Sequence, residues 1–171
     1  RGGGPFLTKE IPTPEKPVHT AELGLRVLDV LGVKTEGFRP EFYLSDDSRS
    51  SAEKYFSDNG LNNDKVIAMH IGAGGEFKKL DDSKVAELSE RLASEFNARI
   101  LLLAGPGEEL QAGNIAKKMQ SQPVVSSGTT SVQELAGLLS LADLFIGYDS
   151  GPAHLASALD RPSVVIFGPS D

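Results

Sequence analysis

Residues 65–171 predict an α/β fold, a doubly wound parallel sheet of Rossmann-like type, and three observations carry that prediction. Segments of strand and helix character alternate along this stretch with short connections. The strand segments, such as Val66-Ile67-Ala68-Met69-His70-Ile71 and Arg99-Ile100-Leu101-Leu102-Leu103-Ala104, are nearly continuous apolar runs, as strands covered on both faces require. Loops carrying glycine at 72–75, 105–107 and 147–151 follow strands, at the carboxyl edge where such sheets bind ligands.

In chain order, residues 1–18 are rich in Gly and Pro without hydrophobic periodicity and read as a flexible lead or linker. A helix is expected over 20–31, where Leu23, Val27, Leu28, Val30 and Leu31 form one broad apolar face and Gly32 is the stop. Phe38 to Leu44 reads as short and extended, interrupted by Pro40. Asp46-Asp47-Ser48 are expected to cap a second helix running through Ser57, with Tyr55 and Phe56 inward and Gly60 ending it. Residues 19–64 are therefore expected to be a helical and extended lead-in, with a new regime beginning at Lys65. After the first strand, Val85, Leu88, Leu92 and Phe96 are three and four apart and predict a helix over 82–96. A further strand, Arg99–Ala104, precedes Gly105-Pro106-Gly107 and a helix over 108–119. Val124-Val125 is a brief strand, and Val132, Leu135, Leu138 and Leu139 mark another helix. Its cap is Ser131, with Glu134 three residues on completing a capping box. The strand Ala142–Ile146, a helix over Ala153–Leu159 and a strand at 163–167 close the series.

The chain is organised around Gly147–Leu155. A strand, a tight polar turn and a helix start succeed one another there, with Ser150 and Gly151 at the capping positions and Pro152 in the first helical turn. Unpaired backbone N–H groups and the helix dipole make such a start an anion site. Asp149 is not a phosphate ligand; a carboxylate beside that pocket accepts hydrogen bonds from sugar hydroxyls, and His154, one turn on, can donate to either group. The plainer alternative is an ordinary turn, with Asp149 as a cap and His154 as a core histidine. The loop Gly72-Ala73-Gly74 lets backbone approach a ligand closely. It fits neither the Walker pattern nor GxGxxG. Lys78 or Lys79 follows within reach of that loop and can neutralise a diphosphate; two solvated lysines ahead of the helix are the plainer alternative, and the one favoured for Lys79. Glu108 begins the helix after 105–107; helix-dipole placement and a grip on ribose hydroxyls both explain an acid there. Thr129 and Thr130 are candidates to face the ligand cleft.

Composition removes several classes. There is no cysteine, and the three histidines, at 19, 70 and 154, have no ligand spacing, so no metal site is expected. A formal charge of −7 argues against a nucleic-acid surface. No apolar run approaches the ~20 residues of a membrane span, and no signal peptide opens the chain. Arg1-Gly2-Gly3-Gly4-Pro5 looks like a cut end, and the chain stops just past a strand where a closing helix is usual; both predict a fragment of a longer protein.

The spacing His70-Ile71-Gly72-Ala73-Gly74 with Lys78, then Leu103–Glu108, Ser131–Leu135, Asp149-Ser150-Gly151-Pro152-Ala153-His154-Leu155-Ala156 and Phe167-Gly168-Pro169-Ser170-Asp171, resembles the ADP-heptose:lipopolysaccharide heptosyltransferases of glycosyltransferase family 9. The resemblance covers 65–171 and, more faintly, the helix from His19. It implies the C-terminal, donor-binding half of a two-domain GT-B enzyme that needs no cofactor and uses a nucleotide-sugar, ADP-heptose, as substrate. On that resemblance Gly72, Ala73 and Gly74 line the donor, Lys78 sits at its phosphates and Glu108 at its ribose. Asp149 holds sugar hydroxyls, Ser150 and Gly151 offer amides to the diphosphate, and His154 lies beside them. The family inverts at the anomeric carbon without a metal, and its catalytic base belongs to the half that is not in this chain. The acceptor implied is lipopolysaccharide or another surface glycan, reached through that other half. The expected location is the cytoplasm, at the inner-membrane face, with peripheral membrane contact by the full-length protein. Leu80-Asp81 stand where the family has Trp-Pro, which leaves the donor's identity open. A nucleotide-sugar epimerase-like enzyme and a non-catalytic nucleotide-binding domain are the alternatives.

Overall fold

The structure is a computed structural model that describes residues 9, 11, 14, 16–35, 37, 39–75, 78–126 and 131–168. The chain forms two compact units, Arg1–Glu41 and Phe42–Asp171. The first holds helix α1, Thr20–Val30. His19 caps it, its Nδ1 accepting the Ala21 N–H at 3.2 Å. The expected stop at Gly32 is present as a paired closure: Val33 N–H donates to Leu28 O, Gly32 N–H to Asp29 O, and Gly32 adopts φ +75°.

The second unit carries helix α2 (Asp46–Asp58), then strand β1 (Lys65–His70), α3 (Asp82–Phe96), β2 (Ala98–Leu103) and α4 (Glu109–Lys117). It continues with β3 (Val124–Ser126), α5 (Val132–Leu141), β4 (Leu144–Tyr148), α6 (Gly151–Ala158) and β5 (Ser163–Ile166). All pairings are parallel, in the order β3-β2-β1-β4-β5. The period-2 alternation of the strands splits the core into two layers. Ile67, Met69, Ile100 and Leu102 face α3 and α4, meeting Val85, Ala86, Ala93, Ala112 and Ile115. Val66, Ala68, Leu101, Leu103 and Phe145 face the other way, onto Ala52 and Phe56 of α2, Leu138 and Leu139 of α5, and Ala153 and Ala156 of α6. Helices therefore cover both faces, as the apolar strand runs require.

Several local expectations need correction. The unit with the sheet starts at Phe42 and not at Lys65, because α2 packs on α5 within it. At Gly137 the helices come so close that a Cβ there would stand 2.7 Å from Ser48 O. The cap of α2 is Ser45, whose Oγ accepts the Ser48 N–H at 3.3 Å, and Asp46 and Asp47 fill its first turn. Gln133 of α5 takes up the backbone ahead of α2, donating to Tyr43 O and accepting from Ser45 N–H. The inner face of α3 is Val85, Ala86, Ser89 and Ala93, and Phe96 is exposed, because small residues let the helix approach the sheet. Strand β4 runs two residues past its expected end and takes in Gly147 and Tyr148. The capping box of Ser131 and Glu134 is present.

Candidate functional site

In this strand order the chain reverses its direction of growth between β1 and β4, and that is where such sheets open a crevice. The register shows the opening. The β1–β4 ladder runs only from Ile67/Leu144 to Met69/Ile146, while β1 stays paired to β2 through His70 and β4 to β5 through Tyr148. At the far end the same two strands are sewn together: Asp143 Oδ2 accepts the Val66 N–H at 2.8 Å, and Asp143 N–H donates to Val66 O at 2.9 Å. One end of the pair is closed and the carboxyl end parts.

The loops after β1, β2 and β4 surround that opening. After β4, Ser150 is the N-cap of α6, Gly151 its first residue and Pro152 its second. The Ser150 side chain does not cap the helix; its hydroxyl donates back to Tyr148 O at 3.1 Å. Gly151 is exposed, with nothing within 4 Å of the place a Cβ would occupy, so the amide end of α6 is open to a ligand. Asp149 is exposed, and its Oδ1 lies 4.0 Å from Nε2 of His154, which is also exposed; neither the capping role nor a core histidine is what the structure shows.

After β1, Gly72 is buried against Glu108, and a Cβ on it would stand 2.6 Å from Glu108 Oε2. The Glu108 carboxylate from the next loop fills the side-chain position at residue 72, so a larger residue there would displace it. Glu108 is the N-cap residue of α4 but makes no cap bond. Its carboxylate turns across the strand ends, accepts the Gly105 N–H at 2.8 Å and lies 3.9 Å from the Lys79 ammonium. Lys79 is not the solvated lysine expected: its side chain is only 11% exposed, because Glu108 from a neighbouring loop draws it in. Ala73 is half-buried, and Gly74 is exposed with open space around it. Lys78 is half-buried at the same edge; its N–H donates to Gly75 O at 3.1 Å, and its backbone packs on Gly168 beyond β5.

His70, the last residue of β1, is buried beneath these loops, and its Nδ1 has no hydrogen-bond partner. Burial lowers its pKa from the ordinary 6.5, against the Glu108 carboxylate and a Gly72 backbone bond that pull upward, while Lys79 adds to the fall. It lines a cavity of about 190 Å³ with Leu103, Ala104, Gly105, Ser126 and Pro152. The structure thus brings Gly72, Ala73, Gly74, Lys78, Glu108, Asp149, Ser150, Gly151 and His154 to one edge of the sheet. Sequence reasoning gave His70 and Tyr148 no site role and favoured a solvated Lys79, because the surroundings of all three come from segments distant in sequence. Thr129, Thr130 and Pro169–Asp171 lie outside the described residues. Among the described residues no group of three or more His, Cys, Asp or Glu is placed to hold a metal ion, and no helix is long and apolar enough to cross a membrane.

Fold and crevice together define a Rossmann-like α/β domain with an anion-ready helix start and a carboxylate at its switch point. The chain belongs to glycosyltransferase family 9 (heptosyltransferase), which residues 12–171 match. It is 37% identical over 112 residues to a lipopolysaccharide heptosyltransferase 1 of Campylobacter coli, covering 62% of this chain and 32% of that protein. Among solved structures it resembles a glycosyl transferase family 9 protein of Veillonella parvula, with a TM-score of 0.86 at 25% identity, over 99% of this chain and 49% of the other. It also resembles the E. coli heptosyltransferase WaaC solved with ADP-2-deoxy-2-fluoro heptose, with a TM-score of 0.58 at 26% identity, over 70% of this chain and 38% of the other. The chain spans less than half the length of each of these relatives.

Proposed function

We propose that this chain is the donor-binding half of an inverting glycosyltransferase that moves a heptose-like sugar from a nucleoside diphosphate to a lipopolysaccharide or surface-glycan acceptor. The observation that carries the reading is the convergence, at the parted ends of β1 and β4, of the Lys78 loop, the open start of α6 and the Asp149 carboxylate. The solved WaaC complex with an ADP-heptose analogue supports ADP-heptose as the donor. The family match lends no support to an epimerase-like or non-catalytic reading.

In the proposed reaction an acceptor hydroxyl attacks the anomeric carbon as the bond to the β-phosphate oxygen breaks. Negative charge then grows on the leaving diphosphate. Lys78 and the amides of Ser150 and Gly151 stabilise that charge from fixed positions, which lowers the barrier without reorganisation at the moment of transfer. Asp149 accepts from the sugar hydroxyls and Glu108 from the ribose. The base that takes the acceptor's proton lies in the other half of the full-length enzyme. The cytoplasmic side of the inner membrane is the location that goes with this reading, with peripheral membrane contact made by the whole protein.

Calorimetric titration of the chain with ADP-heptose, ADP, UDP and GDP tests the proposal. ADP and ADP-heptose are expected to bind, and Asp149→Ala is expected to weaken ADP-heptose more than ADP. Equal losses for the two would remove Asp149 from the sugar, and binding of none of the four at millimolar concentration would overturn the reading. The chain alone is expected to give no transfer to acceptor; turnover would put the base inside these residues.

A further inference from the structure

Tyr148 ends β4 immediately before Asp149, and it is 2% exposed. Its hydroxyl accepts the Leu80 N–H at 3.0 Å. That bond spans the place where the β1–β4 ladder has already stopped, at Met69/Ile146. It ties the backbone just after Lys78 and Lys79 to the strand that delivers Asp149. The phenol therefore does the work of a ladder bond across an opening that a true ladder would close. A second contact fixes the same loop from the β5 side. Gly168 packs so closely that a Cβ on it would stand 2.8 Å from Lys78 Cα. Lys78 N–H is also turned inward to Gly75 O. These contacts fix the root of the Lys78 side chain, so less entropy is lost when the ammonium meets an anion.

We infer that Tyr148 is a positioning residue for the donor diphosphate, acting through Lys78 by holding the Leu80 backbone across the parted strands. The inference rests on the donor-site reading above. Burial raises the phenol's pKa above its ordinary 10, more than the Leu80 bond and the Lys79 charge lower it, while Asp82 adds to the rise. Phenylalanine keeps the ring and removes the hydroxyl that accepts the Leu80 N–H.

A double-mutant cycle on ADP affinity tests the inference. Tyr148→Phe is expected to weaken ADP binding by about fivefold, the scale of one lost neutral hydrogen bond. Lys78→Ala is expected to weaken it further, and adding Tyr148→Phe to Lys78→Ala is expected to change it by less than about twofold. Thermal melts of each variant check that all remain folded. Unchanged ADP affinity in Tyr148→Phe overturns the inference, as does the same fivefold loss in the Lys78→Ala background, because a merely structural bond would act with or without the lysine. Unchanged affinity in Lys78→Ala overturns it as well. In the first two cases the unaltered chain still binds ADP and the donor-site reading stands; in the third that reading loses Lys78 and keeps the α6 start, and failure of the unaltered chain to bind ADP overturns both.

Discussion

The Glu108 carboxylate touches the Gly105 amide, faces the Lys79 ammonium and occupies the space that any side chain at residue 72 would need. That one orientation accounts for a glycine, an inward lysine and an uncapped helix start. It also affects the histidine below. His70 is held neutral in the folded chain, chiefly by burial, so its folded pKa lies under the unfolded value of 6.5. The sign follows from proton counting. Below pH 6.5 the unfolded chain takes up a proton that the folded chain refuses, so folding stability falls as pH drops from 6.5 toward the folded pKa. Urea unfolding at a series of pH values should show this slope. His70→Gln should reduce it, whatever it does to stability at neutral pH; an identical slope in the variant would show that other groups produce it.

Elements pack here through missing side chains as much as through present ones. Gly137 lets α5 lie on α2, where a Cβ would stand 2.7 Å from Ser48 O and 3.0 Å from Ala52 Cβ. Gly137→Ala should therefore push the helices apart and cost about 1–3 kcal/mol of stability, measured by urea unfolding. A variant as stable as the original would mean that the two helices yield without penalty. The same principle limited what the sequence disclosed. Gly147 reads as a turn residue by type, yet it lies within β4, because the Phe145 ring and His70 Cβ fill the place of its side chain. Lys79 reads as solvated from its neighbours in sequence, and only a carboxylate from another loop reveals its burial. The strand runs and the capping box of Ser131 and Glu134 were legible because their causes are local. Helix α3 was legible in its bounds and in Val85, Leu88 and Leu92, which meet the core; Phe96, at the same spacing, is exposed, and the closest approach to the sheet falls to Ala86, Ser89 and Ala93.

At the scale of the whole unit, one topological fact produces the candidate site. Growing outward from β1 to β2 and β3, and then returning to place β4 on β1's other side, leaves two adjacent strands whose loops run to opposite faces. Their carboxyl ends part after a ladder that runs from Ile67/Leu144 to Met69/Ile146, and the lysine loop, the α6 start and Asp149 gather at that parting. The motif string from Asp149 to Ala156 was readable as a helix start, but the crevice beside it is a property of strand order, which no single motif carries. Amide chemical-shift mapping of the isotopically labelled chain with ADP tests the central claim most directly. The account predicts shifts concentrated at Gly72–Gly74, Lys78 and Asp149–Gly151, with the amino-terminal strand ends around Asp143 unaffected. Shifts clustered at that opposite end, or on the outer faces of α3 and α5 with the carboxyl edge silent, would contradict it.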